Sequence, residues 1–373
     1  MKFEINKLRW PITFFSTAFG AGVFYLPQSV GPGVSSPVKF IMMSVICALI
    51  SFCVHYQLYK FIQSSKKKMM LDAIEINYGP KIAKAICFLF LLSMISIALI
   101  NFMTIVNLLV PNENNSIITR FALSFAVCLV LCFSWLKFDK DIAMFISKIS
   151  ILTIIAIIVL AILFLNLKGG TLAANTSNQF LTAMFPILLF VFNFSPSIQR
   201  FAQQPTIQKS KIAALSIGTG VLIILIFIFL FCFCLSHVLN AGDYLSLRNN
   251  NLDALSFASH KSGLFIVKLI SILAILLATI GAYVGTLTGI VDSLTSFGFE
   301  RRGLSVLSIF ILSVLVATVN FSILKTISFI SLPIITLTVF FIPSIYFLRN
   351  KQNVLISSIV LLSGIVALSS VIF

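Results

Sequence analysis

Long apolar runs separated by short polar or charged stretches fill the chain from Trp10 to Phe373. A helix needs roughly 20 apolar residues to cross the hydrocarbon core of a bilayer. On that measure the pattern predicts eleven spans, at about 10–31, 36–63, 81–110, 117–136, 141–166, 179–203, 211–239, 263–295, 303–320, 324–348 and 353–373. The expected fold class is therefore all-α integral membrane. Residues 1–9 are short and charged, and the run from Trp10 to Val30 is too long and too polar inside to be a cleaved leader. Span one is expected to stay in the mature protein.

Composition excludes a water-soluble globule. Hydrophobic residues make up 59% of the 373, charged residues 10%, and mean hydropathy is +1.11. A soluble surface carries about a quarter charged residues. The net charge of +16 acquires meaning from its distribution. With the N-terminus in the cytoplasm, 18 of the 26 Lys and Arg fall on inner segments and 7 on outer ones, and Lys148 lies within span five. Such a bias sets the N-terminus inside and, with an odd span count, Phe373 outside. The basic excess is topological, and no nucleic-acid partner is expected. The partners implied are a small-molecule substrate and the bilayer, with the chain acting as a monomer in a bacterial inner membrane. Cys232 and Cys234 alternate with Phe inside an apolar helix, which fits small buried residues better than a metal site. The stretch 66–84 suggests a surface helix leading into span three, and the polar stretch 240–262 a cap over an outer vestibule.

Two spans are interrupted. Span one carries Ser16-Thr17-Ala18-Phe19-Gly20-Ala21-Gly22-Val23, with Pro27 beyond it. Gly costs about 1 kcal/mol relative to Ala inside a helix, so Gly20 and Gly22 predict an unwound segment at mid-depth; close helix packing at small residues is the alternative. Span six carries Phe192-Asn193-Phe194-Ser195-Pro196-Ser197, where Pro196 predicts a break or kink at or before Ser195. These spans open two successive sets of five. Interrupted segments at corresponding positions of two halves point to a transporter's binding site, because unwound backbone at that depth must line a cavity. Half-helix ends offer N–H groups to a carboxylate and C=O groups to an ammonium or cation. A zwitterionic amino acid suits both.

Phe19-Gly20-Ala21-Gly22-Val23-Phe24-Tyr25-Leu26-Pro27 resembles the glycine-rich signature of the bacterial hydroxy and aromatic amino acid permeases. His55, Phe192 to Pro196, Tyr283 to Leu287, and Pro333-Ile334-Ile335 continue the resemblance in order along the chain. Membership in the amino acid–polyamine–organocation superfamily implies a LeuT-like fold with discontinuous helices 1 and 6. Its two inverted five-helix repeats (10–166 and 179–348) and an eleventh helix (353–373) would form a single transmembrane domain. It also implies proton-coupled uptake of a neutral amino acid. The Asn-Phe-Ser-Pro break is most similar to the serine/threonine branch. That branch carries a Lys near the position of Leu277, which is absent here, whereas Ser147-Lys148-Ile149 is similar to the tyrosine-type branch.

The substrate site expected from these segments comprises Thr17, Gly20, Ala21, Gly22, Phe192, Asn193 and Ser195, with Ser93, Ser96 and Tyr283 as secondary candidates. A cation within a span is functional by default, so Lys148 is expected to face the interior and carry the coupled proton; snorkelling to the cytoplasmic surface is the alternative. Thr279, Thr286 and Thr288 on span eight could instead help hold sodium, although such hydroxyls more often bond their own backbone. His55 is expected to make a structural hydrogen bond. No cofactor beyond the coupling ion, H+ or Na+, is implied. An enzyme is not expected, since no Ser/His/Asp set, HExxH pair or phosphate-cradling loop occurs. Neither a channel nor a structural membrane component calls for two paired helix breaks.

Overall fold

The structure, a computed structural model, describes residues 2–110, 116–138, 142–167, 179–204, 210–250 and 252–372. All regular structure among the described residues is helical. Eight helices are long and apolar enough to cross a membrane: Pro37–Gln63, Pro80–Leu109, Ile117–Trp135, Met144–Leu165, Ser210–Ser236, Phe265–Ser296, Arg302–Val319 and Phe329–Arg349. Eleven spans were expected, and the difference lies in three places. Span one is divided into α1 (Lys2–Ala18) and α2 (Ala21–Val30), and span six into α8 (Gln179–Val191) and α9 (Ser195–Ala202). Each piece is shorter than the hydrocarbon core requires. The last apolar helix, within α18 (Val354–Ile372), is also short.

Between these lie α3 (Pro37–Gln63), α4 (Met70–Tyr78), α5 (Pro80–Leu109), α6 (Ile117–Phe138) and α7 (Ile142–Leu165). Gly79, at φ +86°, lets α4 turn directly into Pro80, the first residue of α5. After α9 come α10 (Ser210–Ser236), the outer pair α11 (Ala241–Asn250) and α12 (Ala254–Lys261), α13 (Phe265–Ser296) and α14 (Arg302–Val319). The span from Ile323 to Arg349 alternates α15 (Ile323–Thr326), α16 (Leu332–Ile335) and α17 (Ile342–Arg349) with π-helical turns at Ile327–Ser331 and Thr336–Phe341. Pro333 and Pro343 each follow a π turn, whose wider register accommodates a residue that cannot donate to the preceding turn.

The long-range contacts pair α1 with α10 and α7, α5 with α13, and α6 with α14. Helix α5 is the hub: 67% of its apolar window is buried, against 22% for α6. Exposed Val38, Met42 and Leu49 on α3, and Leu215, Leu222 and Ile226 on α10, show the outward faces to be apolar, as a lipid-facing surface is. The outer pair packs on α2, with Gln28 Nε2 donating to the Leu252 carbonyl and Arg248 to the carbonyls of Gln28 and Ser29. The polar stretch thus packs over the end of α2.

Candidate functional site

At the first break, Gly20 has φ −127° and ψ −148°, outside the helical region. A Cβ there would collide with the Asn101 amide oxygen and lie 2.6 Å from Ala282 Cβ, so glycine is required by close approach. Ala21 N–H, the first amide of α2, donates to Asn101 Oδ1 at 2.9 Å, and Asn101 Nδ2 donates to the Ile97 carbonyl at 2.9 Å. Asn101 is a buried residue of α5 that the sequence reading did not single out. Its signal was available: an amide in the middle of an apolar span must find partners.

At the second break, Phe192–Phe194 are non-helical, and Pro196 sits in the first turn of α9, where its missing N–H costs nothing. Helix α3 braces this segment. His55 Nε2 accepts from Phe194 N–H at 3.1 Å, and Nδ1 donates to the Ser51 carbonyl at 2.8 Å. These two bonds require the neutral imidazole with its proton on Nδ1. The ring stacks on Phe194 with centroids 3.7 Å apart, and Ser51 Oγ donates to the Phe192 carbonyl at 3.0 Å. His55 makes the structural hydrogen bond expected of it. Asn193 Oδ1 accepts from Ser195 N–H, while Asn193 Nδ2 and Ser195 Oγ are buried without a hydrogen-bond partner.

The two breaks meet. Thr17 Oγ1 lies 2.6 Å from Ser197 Oγ, and Gly22 abuts the Phe190 ring. A cavity between them is lined by Thr17, Ala18, Gly20, Ala21, Gly22, Ile97, Ile100, Asn101, Phe190 and Asn193. It holds about 10 Å³, the room of roughly one water. Helix α13 packs on α1 and α9 through a ladder of glycines. A Cβ on Gly281 would strike Ser16 Oγ, one on Gly285 would lie 2.8 Å from Thr17 Oγ1, and one on Gly289 2.7 Å from the Pro196 carbonyl. Small residues four apart let backbones approach closely. A second small cavity is lined by Trp10, Thr13, Ile146, Pro196, Ser197, Arg200, Gly285 and Thr288. There Asp292 pairs with Arg200 at 3.3 Å and with Arg302 at 3.8 Å.

Several expected residues lie elsewhere. Ser93 donates to the Phe90 carbonyl of its own helix, and Ser96 bonds the Ser93 carbonyl and Ser331 Oγ of the π-helical span; neither lines the cavity. Tyr283 turns toward α14, with its hydroxyl 3.0 Å from Ser313 Oγ and its ring against Phe102 and Phe310. Phe192 and Ser195 are buried at the second break but do not line the cavity. Lys148 does not face the interior. It is exposed in a stripe with Met144, Ile151, Leu152 and Ile155, while Ile146, Ile149, Ser150 and Thr153 form the buried face and Ile149 approaches Gly281. At about 100° per residue, one position decides between the two faces. Thr279, Thr286 and Thr288 donate to the carbonyls of Ile275, Ala282 and Val284. The first two sit roughly 100° or more around α13 from Gly285.

No protein-family model matches the chain. The serine transporter SdaC of Escherichia coli strain K12 is 22% identical over 405 positions, covering 98% of this chain and 94% of that protein. The threonine/serine transporter TdcC of Edwardsiella piscicida is 24% identical over 387 positions, covering 90% and 86%. Among solved structures, a substrate-bound, outward-open Na+-coupled sialic acid symporter aligns with a TM-score of 0.62 at 14% identity, over 98% of this chain and 90% of that one. The fold is LeuT-like. Its long-range helix contacts are those of an inverted-repeat membrane protein. The sequence similarity supports the amino acid–polyamine–organocation type of transporter, and these relatives are transporters rather than enzymes.

Proposed function

We propose that the chain is a secondary active transporter that imports a neutral amino acid by alternating access. The observation that carries this reading is the meeting of two helix breaks, at Gly20 and at Phe192–Phe194, across a cavity lined by buried residues. In this reading α1 with α2, and α8 with α9, are each one discontinuous membrane crossing. The chain then crosses eleven times, as a single transmembrane domain of two inverted repeats (10–166 and 179–348) and a last helix (353–373). The N-terminus lies in the cytoplasm of a bacterium, the C-terminus lies outside the inner membrane, and the protein works as a monomer.

The relatives' serine and threonine support a hydroxy amino acid as substrate, ahead of an aromatic one. The small side chains at the first break and the unpartnered Asn193 Nδ2 favour a small polar ligand. Thr17, Gly20, Ala21, Gly22 and Asn193 form the candidate contact set. Proton coupling is preferred to sodium on the resemblance to the proton-coupled hydroxy and aromatic amino acid permeases, and Thr279 and Thr286 lie off the face that α13 turns to α1 through Gly281 and Gly285. The exposed position of Lys148 does not support it as the proton carrier.

Proteoliposomes preloaded with unlabelled L-serine should accumulate labelled L-serine or L-threonine by counterflow, with labelled L-tyrosine as the aromatic arm. Absence of exchange with all three overturns the reading. Replacing sodium by choline at fixed pH should leave uptake unchanged, and loss of uptake would turn the assignment to the sodium-coupled alternative.

A further inference from the structure

The amide that satisfies α2 does not come from its own segment. Gly20, at the N-cap position, offers no side-chain cap, and the first amide of the helix is bonded by Asn101 from α5. That amide stands at the positive end of the helix dipole, where anionic groups are favoured. Asn101 is held in place by its own bond to the Ile97 carbonyl, and the missing Cβ of Gly20 gives it room. Across the same cavity Asn193, only 7% exposed, carries an amide nitrogen without a partner. One polar group of the empty site is therefore satisfied internally, and another is left waiting.

We infer that Asn101 is a built-in stand-in for the substrate's carboxylate, closing the empty site and yielding its place when substrate arrives. The inference rests on the reading of the chain as an amino-acid carrier and deepens it at one residue. A cavity of about 10 Å³ does not admit an amino acid while the Asn101 oxygen occupies Ala21 N–H. Exchange is downhill, because a carboxylate accepts a charge-assisted hydrogen bond roughly twice as strong as the one a neutral amide accepts. Substrate binding must therefore outcompete an intramolecular ligand. Observed affinity is lowered by the fraction of molecules in which Asn101 holds the site.

The test is binding of L-serine to the purified full chain, by calorimetry and thermal shift, in wild type, Asn101→Ala and Asn101→Asp. Removing the stand-in should tighten serine binding roughly threefold to tenfold, the span of one net hydrogen bond. Asn101→Asp fixes a carboxylate at Ala21 N–H, so serine binding should fall by about tenfold or more. Ethanolamine, which is serine without its carboxylate, should gain affinity relative to serine in that variant. If Asn101→Ala does not purify as a folded species, Asn101→Ser is too short to reach Ala21 and carries the same expectation. Wild-type binding with unchanged or weaker affinity in the shortened variant overturns this inference and leaves the carrier reading standing. A wild type that binds none of L-serine, L-threonine and L-tyrosine overturns both.

Discussion

The two helix breaks solve one problem by opposite means. The first is made by absence: Gly20 has no side chain, and a neighbouring amide fills the gap it leaves. The second is made by presence: Pro196 enforces the restart, and His55 and Ser51 hold the flanking peptide groups from α3. Phe194 adds a stack on His55 and another on Phe14, 4.7 Å between centroids. The first break is thus free to trade its partner, whereas the second is anchored to the scaffold. Its lower half α1 packs on α10 and α7, and its upper half α2 is tied to the outer cap. Under the carrier reading proposed above, the first break is where a ligand would replace a partner, and the second is the fixed reference.

Substitution at Gly20 should break the contrast most severely. Gly20→Val drives a branched side chain into Asn101 and Ala282, and overpacking of this kind costs about 1–3 kcal/mol. Counterflow should disappear and the melting temperature should fall; wild-type exchange would show that close approach is not what shapes the first break. His55→Ala tests the second. It leaves Phe194 N–H buried without an acceptor, a loss of about 1–3 kcal/mol, measurable as a lower unfolding midpoint. His55→Gln, whose amide oxygen accepts, should recover part of the loss.

A smaller effect concerns the cap that holds α2. Asp253, buried at the N-cap of α12, accepts from Ser256 N–H at 2.7 Å, and burial pushes its carboxyl up from 3.8 to about 6. Folded cap therefore holds more protons than unfolded cap between those values, so stability is greatest below pH 3.8 and declines as pH rises through 6. Amides of α12 should exchange more readily at pH 7 than at pH 5 after correction for intrinsic rates. Asp253→Asn keeps an N-cap acceptor and should flatten the dependence. Least affected should be Lys148→Ala. An exposed side chain on a lipid-facing stripe predicts proton-driven uptake within about twofold of wild type, and abolished uptake would return Lys148 to the coupling path.

The helical class, the span boundaries and both interruptions were legible because their causes are local. Apolar run length marks a crossing, and Gly20, Gly22 and Pro196 act on their own backbone. The cavity wall was only half legible. Ser93, Ser96, Tyr283 and Lys148 do not line the cavity, because facing is a matter of helix rotation, and an unbroken apolar span gives no phase to read. Asn101 was overlooked although its polarity alone, inside α5, demanded a partner; what composition cannot supply is that the partner is the backbone of another span. The π turns before Pro333 and Pro343 were likewise invisible, since a proline announces a lost donor but not how the helix absorbs it.

The glycine ladder of α13 has a mechanical consequence. Gly281, Gly285 and Gly289 leave notches that Ser16 and Thr17 of α1 and the Pro196 carbonyl of α9 fill, so the joint is keyed rather than smooth. Sliding would require those groups to lift out of their notches together, so α1, α9 and α13 are set to travel as one block. One added methyl group in any notch would wedge the block apart.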